Sequence, residues 1–139
     1  MKIDKKQIRF NVSSSPKDSA IRLAGQVLLE NGFITEEYIE SMIKKEETDI
    51  TYIGNGIAIP HGLYEDKKYV LESGISVVHY PEGIEYDENF VFLVIGIAAN
   101  DENHLEILQD IAIKLSDESY VERLVSSEDI DTFVNYFNE

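Results

Sequence analysis

The sequence contains no cysteine. Disulfide bonds, thiolate metal sites and a cysteine nucleophile are therefore excluded within this chain, and any thiol step must occur on another protein. The three histidines, His61, His79 and His104, lie too far apart in the chain for the short spacing that zinc ligands favour. We therefore expect no metal site.

Glycine-rich phosphate loops are also absent. Neither GxxxxGK[ST] nor GxGxxG occurs, so the sequence predicts no nucleotide and no other cofactor. The nucleophile-elbow pattern of hydrolases is missing too. Members of a Ser-His-Asp triad are distant in a chain, however, so the sequence supports a hydrolase weakly and does not exclude one.

Long apolar runs are missing. The longest covers residues 90–99, which is about half of what a membrane-spanning helix needs. The first residues, MKIDKKQIRF, lack the apolar stretch of a signal peptide. We therefore expect a cytoplasmic protein with no direct membrane insertion.

Basic residues are scarce in the second half of the chain. Residues 1–68 hold ten basic and eleven acidic side chains, whereas residues 69–139 hold two and sixteen, and the formal net charge is −15. Such a field repels phosphate backbones, so we expect no nucleic-acid partner. The acidic half is suited to a basic protein surface, although acidic residues also serve solubility alone.

The length and the composition suit one folded domain. A chain of 139 residues, 43% of them hydrophobic, is long enough to bury a core. No internal repeat, low-complexity tract or linker interrupts it. The predicted domain therefore covers residues 1–139.

Hydrophobic spacing predicts two helices after a first extended segment. In the first helix we expect Ser15 as N-cap, Pro16 at the first helical position and Asn31-Gly32 at the end. Thr35 is predicted to cap the second helix. The residues expected to face the core are Ala20, Ile21, Ala24, Val27, Leu28, Ile39, Met42 and Ile43.

The middle of the chain has the alternation of strands, and the end returns to helical spacing. Strands are predicted at residues 57–59, 73–79 and 91–97, with Pro81-Glu82-Gly83 as a loop or turn between the last two. A helix is predicted in NDENHLEILQDIAIKLSDES, with Asp101 to Asn103 as cap candidates, and two more at 117–125 and at 128–137. The residues of the first of these at core-facing spacing are Leu105, Leu108, Ile111, Ala112 and Leu115. The order favours a layered α/β domain in which helices cover a sheet.

His61 stands out in the stretch GNGIAIPHGL, residues 54–63. Pro60 fixes the backbone before it, and Gly62 has no side chain to block an approaching partner. An unperturbed imidazole is mostly neutral at cytoplasmic pH, so one ring nitrogen keeps a lone pair for attack. A nitrogen–phosphorus bond is labile, which suits a phosphoryl relay. The alternative is that Pro-His-Gly is only a turn. His79, at the end of a strand, is interpreted as structural.

The segment YIGNGIAIPHG, residues 52–62, resembles the active-site segment of enzyme IIA domains of the sugar phosphotransferase system, mannitol/fructose class. The likeness covers almost the whole chain through AIRLAG, EEYIESMIKKEE, VHYPEGIEY, FLVIGIAA, NDENHLEILQDIAIKLSDES and YVERL. The YPEG and NHL segments are most similar to mannitol-specific members. This resemblance implies a mixed sheet with helices packed on both faces.

The resemblance also implies a function and partners. His61 would accept a phosphoryl group from the histidine-containing phosphocarrier protein HPr. It would then pass the group to a cysteine on enzyme IIB of a mannitol-type permease, which agrees with the absence of cysteine here. We expect a free-standing IIA protein, with an apolar patch around His61 and an acidic rim that meets basic residues of HPr.

Two further residues match positions near the active histidine in mannitol-type members. His104 would stabilise the phosphoryl group from the first turn of a helix, or it is a solvent-facing residue. Lys45 stands where those members carry an arginine, and it would neutralise charge without arginine's two-pronged grip, or it is simply solvated.

Three readings remain open at the level of sequence. The first is a phosphocarrier for mannitol, with fructose or another polyol as the alternative cargo. The second is a nitrogen-type regulatory IIA protein that signals through phosphorylation of His61. The third is a structural or interaction domain with a silent histidine, against which the intact IAIPHG segment argues.

Overall fold

The structure is a computed structural model that describes residues 2–100 and 104–139, and the side chains of all of these except 104 and 105. The described residues form five strands and five α-helices, besides two 3-10 helices. In chain order they are β1 (Ile8–Arg9), α1 (Lys17–Glu30), α2 (Glu37–Thr48), β2 (Tyr52–Gly54), β3 (Ile57–Ala58), β4 (Gly74–Tyr86), β5 (Asn89–Ala98), α3 (His104–Lys114), α4 (Glu118–Val125) and α5 (Ile130–Phe137).

The strands form one mixed sheet in the order β1-β4-β5-β3-β2. β1 runs parallel to β4, and β3 runs parallel to β5. The β4–β5 and β2–β3 pairs are antiparallel. The central strand β5 holds the longest apolar run of the chain. Its side chains are buried on both faces of the sheet, which explains why the run shows no alternation.

Helices cover both faces of the sheet, so the predicted α/β fold class is confirmed. One core lies between the sheet and the pair α1 and α2, where Ala24, Leu28 and Met42 pack against Val78 and Val94. The second core lies on the opposite face, beneath α3, α4 and α5. Its largest side chains are Phe133 and Phe137, both fully buried.

Helix α1 begins one step later than predicted. Pro16, in an extended conformation, occupies the N-cap position that we had assigned to Ser15, and the helix has no side-chain cap. The hydroxyl of Ser15 instead lies 3.4 Å from the hydroxyl of Tyr80. The predicted end is confirmed, because Gly32 follows the helix with a φ of 76°.

Helix α2 also lacks the predicted cap. Its N-cap residue is Glu36 in a helical conformation, and the side chain makes no capping hydrogen bond. Thr35 contributes only its carbonyl, which accepts from the N–H of Tyr38 at 3.1 Å. Among the described side chains, the hydroxyl of Thr35 is buried without a hydrogen-bond partner. The segment before α2 is instead held by pairing, because Ile34 forms a bridge with Val70 and the N–H of Thr35 donates to the carbonyl of Tyr69 at 2.9 Å.

The segment Pro81-Glu82-Gly83 is not the predicted turn. It lies inside β4, where the pairing with β5 shifts its register between His79 and Ile84. Such an irregularity tolerates a proline without an N–H donor and a glycine with a φ of 77°. The strands turn instead after Tyr86, at Asp87 with a φ of 59°.

The C-terminal helices follow the prediction with small shifts. Asp117 caps α4 and Asp129 caps α5, each through its carboxylate. Ala112, predicted to face the core from α3, is exposed, whereas Ile111 and Leu115 are buried. None of the helices among the described residues is long and apolar enough to cross a membrane.

Candidate functional site

His61 lies three residues after the end of β3, where the chain still pairs with β5. It forms an isolated parallel bridge with Ile97 of β5, and the N–H of Ile97 donates to the carbonyl of Pro60 at 3.0 Å. Pro60 is buried and His61 is partly exposed. The backbone of His61 is therefore fixed by the sheet while its ring reaches the surface.

The ring of His61 is oriented by its own segment. Nδ1 lies 2.8 Å from the carbonyl oxygen of Ile59. A carbonyl only accepts, so Nδ1 must carry the hydrogen in this contact. In the neutral ring the lone pair then belongs to Nε2, the nitrogen that points away from the main chain.

Two hydroxyls of α2 bind the backbone that follows His61. The hydroxyl of Tyr38 accepts from the N–H of Gly62 at 2.9 Å and donates to the carbonyl of Ile97 at 3.0 Å. The hydroxyl of Ser41 accepts from the N–H of Leu63 at 2.8 Å. Burial of Tyr38, with a smaller effect from Asp66, raises the pKa of its phenol, so the hydroxyl keeps its hydrogen.

Gly62 is required by a different neighbour than the sequence indicated. We had expected the absence of a side chain to serve an approaching partner. Gly62 is buried, and a Cβ there would lie 2.5 Å from a ring carbon of Tyr38 and 2.9 Å from the hydroxyl of Ser41. The glycine therefore allows α2 to pack against the segment that carries His61.

Lys45 lies on the same face of α2 as Tyr38 and Ser41, because these positions are separated by three and four residues. Neighbours of that spacing have Cβ atoms about 5–6 Å apart, which puts Lys45 roughly one turn beyond the Ser41–Leu63 contact. Its ammonium lies 3.1 Å from the carboxylate of Asp49, in a partly exposed ion pair. The role predicted for Lys45 remains a prediction.

The structure describes His104 only as a residue of α3, and its side chain lies outside the described residues. Its predicted contact with the phosphoryl group stays a prediction. Residues 101–103, predicted to cap that helix, lie outside the described residues as well.

His79 is a structural histidine, as predicted. It is 1% exposed, and its ring stacks on Phe10 at 4.5 Å between centroids. Nδ1 accepts from the N–H of Asn11 at 3.0 Å, and Nε2 lies 2.8 Å from the carbonyl of Val125. Since an N–H only donates, the ring is neutral with its hydrogen on Nε2. Burial lowers the pKa of His79.

The surface after His61 carries exposed apolar side chains. Tyr64, three residues on, is 72% exposed and opens a 3-10 helix (Tyr64–Tyr69), and Leu71 is 65% exposed. The charges within this helix are balanced, with Glu65 and Asp66 in its first turn and two lysines in its last turn. The predicted apolar patch around His61 stays a prediction, for which these exposed side chains are candidates, and the balanced charges of this helix add nothing to the predicted acidic rim.

Sequence reasoning missed Tyr38 and Ser41 as residues of the site. Both are buried on α2, but they lie more than twenty positions before Gly62 and Leu63. The sequence signal was their helical spacing with Lys45, which the resemblance had already linked to the site. Among the described residues, no group of three or more His, Asp or Glu side chains is placed to hold a metal ion.

Comparisons with known proteins identify the family of this chain. The family model described as the phosphoenolpyruvate-dependent sugar phosphotransferase system, EIIA 2, matches residues 1–139. The mannitol-specific phosphotransferase enzyme IIA component of Bacillus subtilis is 48% identical over 136 residues, which are 97% of this chain and 95% of that protein.

Two solved structures from Escherichia coli have the same fold. The crystal structure of IIA mannitol matches with a TM-score of 0.90 at 34% identity, and the match covers 99% of this chain and 99% of that chain. The complex of enzyme IIA mannitol with phosphorylated enzyme IIB mannitol has a TM-score of 0.90 at 34% identity, with 98% of this chain and 96% of that chain covered. These findings confirm the resemblance stated from the sequence. The chain belongs to the family of enzyme IIA components of the phosphoenolpyruvate-dependent sugar phosphotransferase system, EIIA 2 type.

Proposed function

We propose that this protein is the phosphocarrier of a mannitol phosphotransferase system, with residues 1–139 acting as one enzyme IIA domain. His61 accepts a phosphoryl group from HPr and passes it to a cysteine of enzyme IIB. Support for the cargo comes from the mannitol-specific relative in Bacillus subtilis and the IIA mannitol structure from Escherichia coli. Support for the IIB partner comes from the complex with phosphorylated IIB mannitol.

The observation that carries the proposal is the hydrogen bond between Nδ1 of His61 and the carbonyl of Ile59 at 2.8 Å. It assigns the lone pair to Nε2, so that nitrogen is the nucleophile. In the first transfer a bond forms between Nε2 and phosphorus, and the bond from phosphorus to the donor nitrogen of HPr breaks. The electron pair of that bond returns to the donor nitrogen.

The second transfer reverses the role of His61. A thiolate of IIB attacks phosphorus, the bond between Nε2 and phosphorus breaks, and its electron pair returns to Nε2. While the ring is phosphorylated it carries positive charge, because Nδ1 keeps its hydrogen. The carbonyl of Ile59 stabilises that charge by accepting a hydrogen bond from Nδ1–H. Carboxylates and carbonyls bind the second ring nitrogen of other reacting histidines in the same way.

Two further residues are proposed to assist. His104 contacts the phosphoryl group, a role taken from the resemblance to mannitol-type members. Lys45 neutralises negative charge in the transition state, supported by its place on the α2 face that binds residues 62 and 63. To do so its ammonium has to leave Asp49. The ion pair between them is partly exposed, and such pairs contribute little stability, so it can open.

Phosphorylation in a reconstituted system tests the proposal. The protein is incubated with phosphoenolpyruvate, enzyme I and HPr, and the product is analysed by intact mass and by peptide mapping. We expect a gain of one phosphoryl group that is labile in acid and stable in base and that maps to His61. Addition of a mannitol-type IIB protein should discharge it.

The variant His61→Asn is the sharpest control. Its amide nitrogen can reproduce the donor of Nδ1 to Ile59, so the segment keeps its hydrogen bond, but it has no nucleophilic nitrogen in place of Nε2. The variant should fold normally and accept no phosphoryl group. Stable phosphorylation of the variant would place the site elsewhere.

A phosphorylated wild type that never discharges to IIB would contradict the transport role and favour a regulatory IIA protein.

A further inference from the structure

A side chain takes part in the parallel bridge between the His61 segment and β5. The first bond of the bridge is direct, from the N–H of Ile97 to the carbonyl of Pro60 at 3.0 Å. In a parallel ladder the next bond would run from the N–H of Gly62 to the carbonyl of Ile97. Here the hydroxyl of Tyr38 binds both groups, accepting from Gly62 at 2.9 Å and donating to Ile97 at 3.0 Å.

The inserted hydroxyl comes from a rigid and buried part of the molecule. Tyr38 is 4% exposed and belongs to the core between α2 and the sheet. Its ring packs so closely on Gly62 that a Cβ there would lie 2.5 Å from a ring carbon. One turn further along α2, Ser41 binds the N–H of Leu63 at 2.8 Å. Helix α2 thus holds the two peptide groups that follow His61.

From this geometry we infer that Tyr38 is a positioning residue for His61. Its hydroxyl sets the point at which the chain separates from β5 and thereby fixes the direction of the imidazole. Ser41 supports the same segment from the next turn. This inference deepens the phosphocarrier function proposed above and rests on it for the transfer step, but the geometric part can be measured on the unphosphorylated protein.

Removal of the hydroxyl has a defined consequence. In Tyr38→Phe the N–H of Gly62 and the carbonyl of Ile97 lose their partner in a buried place, which is unfavourable. The chain relieves this when the two groups form a direct hydrogen bond, so that Gly62 moves toward β5. His61, joined to Gly62, then turns, and the contact of Nδ1 with Ile59 is weakened.

The test compares Tyr38→Phe with Tyr80→Phe. Tyr80 is an equally buried tyrosine, 1% exposed, whose hydroxyl lies 3.4 Å from Ser15, on a part of β4 that makes no bond to the His61 segment. Both variants lose one hydroxyl from the same face of the sheet, so they match in chemistry and burial. Urea unfolding shows that both are folded and how much stability each has lost.

Two readouts are measured on each variant. The first is the rate at which phospho-HPr phosphorylates the protein, which should fall by about ten- to a hundred-fold in Tyr38→Phe and stay unchanged in Tyr80→Phe. The second is the tautomer of His61 from nitrogen chemical shifts in NMR. We expect hydrogen on Nδ1 in the wild type and in Tyr80→Phe, and a mixture of both tautomers in Tyr38→Phe.

The outcomes separate the inference from the proposed function. If the wild type accepts a phosphoryl group but Tyr38→Phe matches Tyr80→Phe in both readouts, the positioning role is wrong. If the wild type accepts none, the proposed function fails, and the NMR comparison alone decides the positioning role. Should Tyr38→Phe fail to fold, Ser41→Ala takes its place, with an expected slower transfer and a shifted tautomer equilibrium, and an unchanged result there overturns the inference.

Discussion

The carboxylate of Glu46 accepts two hydrogen bonds from Thr51, one from the main-chain N–H at 3.0 Å and one from the hydroxyl at 2.5 Å. Glu46 is 6% exposed and lies near the end of α2. The carbonyl of Thr51 in turn accepts from the N–H of Ile59 at 3.0 Å, and the carbonyl of Ile59 orients His61. The same helix that binds the residues after His61 is thus connected to the residues before it.

Replacement of Glu46 by alanine should destabilise the protein. The main-chain N–H of Thr51 would lose its acceptor, and the hydroxyls of Thr51 and Tyr86 would keep only each other, at 3.1 Å. The ammonium of Lys17, 3.2 Å from Glu46, would keep Asp87 and the ring of Tyr86. Buried polar groups left without a partner cost about 1–3 kcal/mol. Urea unfolding measures the free energy. The neighbouring Glu47→Ala, at an exposed position, should change it by less than about 0.5 kcal/mol, and equal losses in both variants would contradict the network.

Protonation of His79 should weaken the fold in mild acid. Burial lowers the pKa of His79 in the folded state, whereas the unfolded chain titrates near the ordinary value of about 6.5. Below that pH the unfolded state therefore binds more protons, so stability is fully present above it and falls as the pH drops toward the folded-state pKa. Unfolding free energies measured from about pH 7 down to about pH 5 should decline.

The variant His79→Gln isolates this contribution. Glutamine does not titrate, so the variant should be less stable than the wild type near neutral pH but should lose less stability on acidification. A steep acid dependence that persists unchanged in His79→Gln would assign it to other groups.

Removal of the charge at Lys45 should slow phosphoryl acceptance without unfolding the protein. Loss of one charged group that stabilises a transition state costs about a hundred-fold in rate when the group is well placed, and a flexible lysine should cost less, about ten-fold. Lys44→Ala is the matched control, since Lys44 is the exposed neighbour. Stopped-flow measurement of transfer from phospho-HPr gives the rates. If Lys44→Ala and Lys45→Ala behave alike, Lys45 has no specific role.

Lys45→Arg and Asp49→Ala test the same residue from the other direction. The arginine variant offers the planar two-pronged donor that mannitol-type members carry at this position, so the rate should be maintained or increased. Asp49→Ala removes the partner that holds the ammonium at 3.1 Å, and it should increase the rate slightly. A decrease in both would mean that the ion pair itself supports the site.

Association with HPr should depend on salt. The chain carries a formal net charge of −15, most of it from residues 69–139, and a basic partner surface would be attracted over a distance that salt shortens. The second-order rate of transfer should fall as ionic strength rises from about 0.05 M to about 0.5 M. A rate independent of salt would exclude steering by this charge and leave the apolar surface near Tyr64 and Leu71 as the main contact.

Much of the fold was accessible from the sequence because it depends on local spacing. The inward residues of α1 and the positions of α4 and α5 were predicted correctly, since a helix repeats its faces within a few residues. The errors concern places where distant segments meet. Pro81-Glu82-Gly83 has turn chemistry, but pairing with β5 keeps it inside a strand. Thr35 has cap chemistry, but its segment pairs with Tyr69 and Val70, and its hydroxyl makes no cap.

The sequence by itself determined that His61 follows a proline, precedes a glycine and belongs to a chain without cysteine, and these local facts together with the resemblance were enough to identify the family. Only the tertiary structure decided which ring nitrogen of His61 carries the hydrogen and what holds the ring in place. The contacts of Tyr38 with Gly62 and of Pro60 with Ile97 join residues 24 and 37 positions apart. No local pattern encodes such pairs, because they form only when α2 and β5 are packed together in the folded core.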